Sequence, residues 1–273
     1  MVLVQSYRGD STTFMTSQSI GVIPIEGTIT NSHSIVNQLV AFRKDRKIKA
    51  IILRIDSPGG GVGPSQEIYR EVRRTKKEKK VIASLGSIAA SGGYYAASAA
   101  DKIVANPGTI TGSIGVLMEF MRVEDLMKKI GIKFEVIKSG EFKDVGSPHR
   151  EMTEEERALL QDLITDVRDQ FIQAVAEGRA LTKERVQEFA DGRIFSGARA
   201  KKMGLVDQLG NFQDAVNLAK KMSNIEGEVK LVFPERERTS IWDLFAKSMV
   251  DKLFKLLQVD LGYHLNYRWN ATR

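Results

Sequence analysis

Two short runs constrain this chain more than anything else in it: "KAIILRID" (49–56) and "KVIASL" (80–85). Each is almost continuously apolar, rich in β-branched residues and too short for an ordinary helix. A strand wetted on one face would alternate apolar and polar positions, so these strands must be covered on both faces. Each run leads into a glycine-bearing turn, "SPGGGVGP" and "GSIAASGGYYAA", and then into a helical pattern. Strand, turn, helix and strand in that order predict an α/β layered fold with a largely parallel sheet. "SIGVIPIEGTI" (19–29) supplies an earlier strand, and Ile35, Val36, Leu39, Val40 and Phe42 mark one side of the helix after it. "DKIVANP", "GTITGSIGVL" and "KFEVIKS" are also strand-like, the last two separated by a helix, "VEDLMKKIG".

Beyond Pro148 the pattern turns helical. Thr153 and Glu156 form a capping box that opens the long amphipathic run "EEERALLQDLITDVRDQFIQAVAEGR". "SGARAKKMG" has a serine start and a glycine close, and "EVKLVFP" is a late strand. The expected organisation is an N-terminal extension (1–18), one catalytic domain with a helical appendage (19–235), and a C-terminal segment (236–273). In that last segment Trp242, Phe245, Met249 and Leu253 share one side of an amphipathic helix, suited to core or subunit packing or to a membrane surface. The tail "GYHLNYRWNATR" is aromatic and basic and suits a neighbouring copy's groove.

Composition removes several function classes. The 273 residues contain no cysteine, which excludes disulfides and thiolate metal sites. The net charge of +7 draws on "RRTKKEKK" (73–80), which reads as the wet end of a helix. No aromatic or glycine-rich RNA signature accompanies it, so no nucleic-acid partner is expected, and an acidic membrane surface fits better. No stretch of about 18 apolar residues is present, so no membrane span is expected. The start lacks the basic leader and apolar core of a signal peptide. No cofactor or metal is expected.

In α/β sheets the active site sits where strands end and helices begin. The triple glycine after Asp56 lets backbone N–H groups approach a ligand, yet no Gly-Lys-Ser/Thr follows and the dinucleotide spacing GxGxxG is absent. Ser91 begins the helical run "GGYYAASAA". A serine there either caps the helix or acts as a nucleophile, with the Gly92 N–H and the helix end available to an oxyanion. A nucleophilic serine needs a base. His33, His149 and His264 all read as solvated surface histidines. Lys138 and Lys143 remain, and Lys143, beside Phe142 and near Val145, is the better placed. A base lysine must be neutral, so its pKa must fall from about 10.4 through burial.

Five blocks in this order, "IDSPGG", "GSIAASGGYYAAS", "GTITGSIGV", "KSGEFKDVGSP" and "GRIFSGARAKKMGLVDQLG", resemble the signal peptide peptidase A family over roughly residues 20–210, in its single-unit-length form. The resemblance implies a serine protease with a Ser–Lys dyad on a Clp protease/crotonase-like fold of repeated β-β-α units. On matching positions Ser91 is the nucleophile, Lys143 the general base and Ser113 the residue that orients the lysine amine. Gly92 and Gly60 would be the oxyanion donors, with Gly61 an alternative to Gly60. A Clp-type triad is excluded, because no histidine follows Ser91 in "TGSIGVLMEF". The resemblance further implies hydrophobic peptide substrates such as signal-peptide remnants and a ring-like homo-oligomer, with an octamer as the candidate size and the site shared between protomers. It also implies a membrane-associated location with the catalytic domain outside the cytoplasm. The alternatives are a related Ser–Lys protease of membrane-associated or phage scaffold proteins, an acyl-CoA enzyme, and a catalytically silent crotonase-like scaffold.

Overall fold

The computed structural model describes residues 18–234 and 266–268. Its elements in order are β1 (Ser19–Glu26), α1 (His33–Lys44), β2 (Ile48–Ser57), β3 (Gly59–Gly61), α2 (Val62–Thr75), β4 (Lys80–Ala90) and α3 (Gly92–Ser98). There follow β5 (Lys102–Ala105), β6 (Ile110–Gly112), α4 (Glu124–Lys129), a 3₁₀ turn (Glu141–Asp144), α5 (Glu154–Arg179), α6 (Lys183–Gln187), β7 (Ile194–Ser196), α7 (Gly197–Lys202), β8 (Gln208–Leu209), α8 (Phe212–Met222), β9 (Lys230–Val232) and β10 (Asn266–Arg268).

The main sheet runs β7-β6-β4-β2-β1-β9, with β5 paired to the first half of β4 and β8 to β5. Every pairing in it is parallel except β6 with β7. The apolar runs are buried for the expected reason, and the parity of the pleat sorts their residues. Ile51, Leu53 and Ile55 of β2, with Val81, Ala83 and Leu85 of β4, enter the larger core beneath α1, α2, α3 and α5. Ala50, Ile52 and Ile82 face the opposite way, onto Ala215, Val216 and Ala219 of α8. The fold is therefore the α/β, mostly parallel, Clp-like arrangement anticipated.

Local signals act as read. Thr153 Oγ1 accepts from Glu156 N at 3.2 Å while Glu156 Oε2 accepts from Thr153 N at 2.9 Å, closing the capping box of α5. Ser196 Oγ caps α7 by accepting from Arg199 N at 3.3 Å. Three of the six basic side chains in the cluster are engaged with the protein. Arg73 pairs with Glu177, Arg74 with Glu71, and Lys79 Nζ donates to Phe42 O at 2.6 Å.

One element differs. "KFEVIKS" is not a strand: among the described residues it pairs with nothing in the sheet, and it belongs to a projecting arm, residues 118–150, on which Leu126, Ile130, Phe134, Ile137 and Phe142 are exposed. Its Phe134 and Val136 alternate with polar residues as a strand's would, but alternation cannot form a ladder without a partner edge. His149 also departs from a purely solvated reading, since its ring stacks on Phe134 at 4.4 Å and its Nε2 lies 3.0 Å from Ser147 Oγ. The amphipathic segment 240–257 lies outside the described residues, as do the N-terminal extension up to residue 17 and His264. Among the described residues no helix is long and apolar enough to cross a membrane.

Candidate active site

β4 ends at Ala90, α3 begins at Gly92, and Ser91 joins them in a conformation L-residues rarely adopt, φ 53° and ψ −121°. The chain must turn sharply there from the sheet into the helix. Ser91 N donates to Gly112 O at 2.8 Å and Ser91 O accepts from Tyr95 N at 2.8 Å, so both ends of the turn are tied down. The side chain makes no capping bond to the helix it precedes. Of the two roles open to a serine at this position, the simple cap is therefore not the one it plays. The small neighbours are explained by crowding: a Cβ on Gly93 would meet Ser57 O at 2.9 Å.

Ser91 is nearly buried, yet it lines a cavity of about 420 Å³ together with Ser113, Gly115, Val116, Leu117, Ile164, Arg168, Ala190, Asp191 and Gly192. Ser113, carried by the turn after β6, also has positive φ (51°) and is held by its N–H donating to Arg193 O at 2.9 Å. The cavity wall is mainly apolar with two charged residues. Asp191 is bridged by Arg193, which holds its carboxyl down to about 2. Burial pushes the Tyr95 hydroxyl, on α3, up to about 12.

The glycine strand divides its backbone groups between two edges. Ile29 N donates to Gly59 O at 2.9 Å and Gly61 N donates to Ile29 O at 2.8 Å. Successive residues of an extended strand direct their N–H and C=O groups to opposite edges, so Gly60 directs both away from Ile29. Gly61 has its N–H committed, leaving Gly60 as the donor of this run on the outer edge. Only glycine fits there, because a Cβ on Gly60 would fall 2.2 Å from Ile29 O. On that outer edge lies β10, antiparallel, with Tyr267 opposite Gly60 and Arg268 opposite Gly59. The tail segment thus pairs with the chain's own glycine strand.

Lys143 is not brought to this place within one chain. It occupies the 3₁₀ turn Glu141–Asp144 on the projecting arm, is exposed, and is not among the residues lining the Ser91 cavity. Ser91, Ser113, Gly92 and Gly60 come from the sheet edge and its turns; the lysine comes from the arm. Sequence reasoning missed Ile164, Arg168 and Asp191 as cavity residues. The signal for the first two was their spacing of four on α5, which puts both on one helical face. Among the described residues no group of three or more His, Asp or Glu side chains could hold a metal ion.

Comparison with known proteins places the chain in a family. The signature of Peptidase family S49 matches residues 73–226, and that of Clp protease matches residues 8–109. A putative protease of Synechocystis sp. is 45% identical over 212 residues, 77% of this chain and 76% of its own. A putative signal peptide peptidase SppA of Enterococcus faecium is 38% identical across 70% of this chain and 56% of its own. The chloroplastic serine protease SPPA of Arabidopsis thaliana is 34% identical across 83% of this chain, which spans only 34% of that longer protein. With a nucleophile-like serine poised over a cavity and these relatives around it, the chain is a serine peptidase belonging to Peptidase family S49.

Proposed function

We propose that this chain is an endopeptidase that cleaves apolar, extended peptides with a Ser–Lys dyad, Ser91 acting as nucleophile and Lys143 of an adjoining copy as base. The observation that carries the reading is Ser91 itself: its hydroxyl is withheld from capping α3, its backbone is held at positive φ, and it opens on a cavity shared with Ser113. Ser91 Oγ would attack the scissile carbonyl while its proton passes to the Lys143 amine. The amine, oriented by Ser113, would then return that proton to the leaving nitrogen, and water would cleave the acyl-enzyme by the same route in reverse. The N–H groups of Gly92 and Gly60 would receive the developing oxyanion, each contributing about 2.7–4 kcal/mol.

Three features support the assignment of substrate and partner. Val116, Leu117, Ile164 and Ala190 give the cavity a wall suited to an apolar side chain. The outer edge of β3 accepts an extended strand, since β10 already lies on it. The arm that carries Lys143 exposes Ile130, Phe134, Ile137 and Phe142, a surface fitted to burial against a second copy in a ring-like assembly. Signal-peptide remnants at a membrane surface have this apolar, unfolded character.

The test is labelling with a serine-reactive phosphonate probe and mapping of the modified residue, together with hydrolysis of an apolar fluorogenic peptide. Modification at Ser91 with concurrent loss of hydrolysis is expected. Labelling elsewhere, or acyl-CoA binding at this cavity without hydrolysis, overturns the reading. Since β10 and an extended substrate need the same edge, a chain ending before Asn266 is expected to show a several-fold lower KM with little change in kcat. An unchanged KM in steady-state kinetics would refute shared use of that edge.

A further inference from the structure

Resting on the reading of Lys143 as the base, the structure points to Arg150 as a positioning residue for it, acting as a clamp between the lysine-bearing turn and helix α5; this assignment we infer from the bonds around Asp144. The turn Glu141–Asp144 is a single exposed 3₁₀ turn. So short a 3₁₀ segment has poor hydrogen-bond geometry and little stability of its own. Whatever grips it therefore sets the direction of the Lys143 side chain.

Asp144, the residue directly after Lys143, is gripped from two sides. Its Oδ2 accepts from Arg150 Nε at 2.8 Å, its backbone O accepts from Arg150 Nη2 at 3.2 Å, and its Oδ1 accepts from Lys138 Nζ at 2.6 Å. Lys138 Nζ also donates to Glu141 O at 2.9 Å, at the other end of the same turn. Arg150 does not stop at Asp144. Its Nη1 donates to Glu156 Oε2 at 2.9 Å and to Glu151 O at 3.0 Å, and its Nη2 donates to Glu156 Oε1. Glu156 has a nearly buried side chain and is the capping-box residue of α5. One planar guanidinium thus joins two carboxylates in fixed directions, which a lysine at 150 could not do.

The far end of this linkage reaches the helix that follows the same chain's own Ser91, a different site from the one its Lys143 serves. α5 buries Phe171 and Val175 in the core, and the Phe171 ring packs on Tyr95 of α3 at 4.8 Å. α3 is the helix that starts immediately after Ser91. The path from base to helix therefore runs Lys143, Asp144, Arg150, Glu156, α5, through polar contacts and packed side chains. Arg150 beside them holds the carboxyls of both Asp144 and Glu156 below the usual carboxylate range. Lys138 and Arg150 are the cations on Asp144, and Glu151 with Arg122 forms the neighbouring ion pair at 3.0 Å. Carboxyls with depressed folded-state pKa keep the clamp charged at neutral pH, and it loosens only as pH falls below about 4.

The test compares Arg150→Met, Arg150→Lys and Lys143→Ala in steady-state hydrolysis of an apolar fluorogenic peptide, with assembly state and thermal unfolding followed alongside. A misdirected base costs about 100-fold, so Arg150→Met is expected to lower kcat by that order with KM within about two-fold and the assembly intact. Arg150→Lys is expected to recover part of the loss. In the Lys143→Ala background, Arg150→Met is expected to add nothing, as residues acting in one unit are non-additive. If Arg150→Met does not fold, Glu156→Gln keeps the capping box while weakening the clamp, and a fall of about 10-fold in kcat is expected from it. An unchanged kcat in Arg150→Met, or a loss that appears only in KM or in assembly, overturns the assignment. Retained activity in Lys143→Ala overturns instead the reading on which it rests.

Discussion

Chains carrying Ser91→Ala and chains carrying Lys143→Ala, each inactive alone, are expected to regain peptidase activity when assembled together. Each substitution removes one member of the proposed proton relay, and losses of at least about 10³-fold are usual when a nucleophile or its base is deleted. Within one chain Lys143 stands exposed on the projecting arm, outside the cavity that Ser91 lines. On the reading proposed above, Lys143 is enclosed when the arm docks against a second copy. The exposed apolar side chains around it, Ile130, Phe134, Ile137 and Phe142, would be buried in the same event. If the site joins the serine of one protomer to the lysine of the next, random mixing in equal amounts leaves about one site in four intact. Recovery of about a quarter of the wild-type rate, measured on verified mixed assemblies, is the expected result. Mixed assemblies that stay at background would show that no site is shared between protomers.

The largest expected loss of stability follows Gly178→Ala. Gly178 lies in α5 where it crosses the end of α3, and a Cβ there would fall 2.1 Å from Ser98 O. The obstructing atom is main chain, held in a helix whose residues are buried throughout, and cannot swing aside as a flexible side chain would. Relieving the overlap requires the two helices to separate, at a cost of about 3 kcal/mol. For a folded region of this size that corresponds to a fall of roughly 10 °C in Tm. Gly140→Ala is the matched control: nothing lies within 4 Å of its Cβ position, and its backbone is extended at φ −164°. It is expected to shift stability by no more than about 0.5 kcal/mol. Thermal unfolding decides the matter, and equal midpoints for the two variants would contradict the packing described.

What could be read from the sequence was what depends on near neighbours along the chain. Residues 49–56 and 80–85 are strands because their apolar continuity admits burial on both faces, and Thr153 with Glu156 closes a cap because both groups belong to one turn. The turn at Ser91 was legible because its small residues stand together in one run, although the crowding met by Gly93 comes from Ser57, far earlier in the chain. Contacts made at a distance were not legible. Nothing in "KFEVIKS" says that no sheet edge is available to it, and so its alternation suggested a strand where the structure has an arm. That the Gly61 N–H is already taken was not legible either, because its acceptor, Ile29 O, lies some thirty residues earlier. Arg150 carried no motif at all: Asp144 and Glu156 each lie six residues from it, a spacing that no regular helix or strand brings together.

The backbone at Ser91 has a consequence for how this molecule balances durability against reactivity. A non-glycine residue at φ 53° gives up on the order of 1 kcal/mol that glycine in the same turn would keep. The chain nevertheless holds a hydroxyl there, between Ala90 and Gly92, with its side chain left uncommitted to the helix. The form best suited to persist would carry hydrogen in place of that side chain and, on the reading proposed above, would cleave nothing. Part of the cost in stability is therefore concentrated at one residue, the one to which the proposed reading assigns the chemistry.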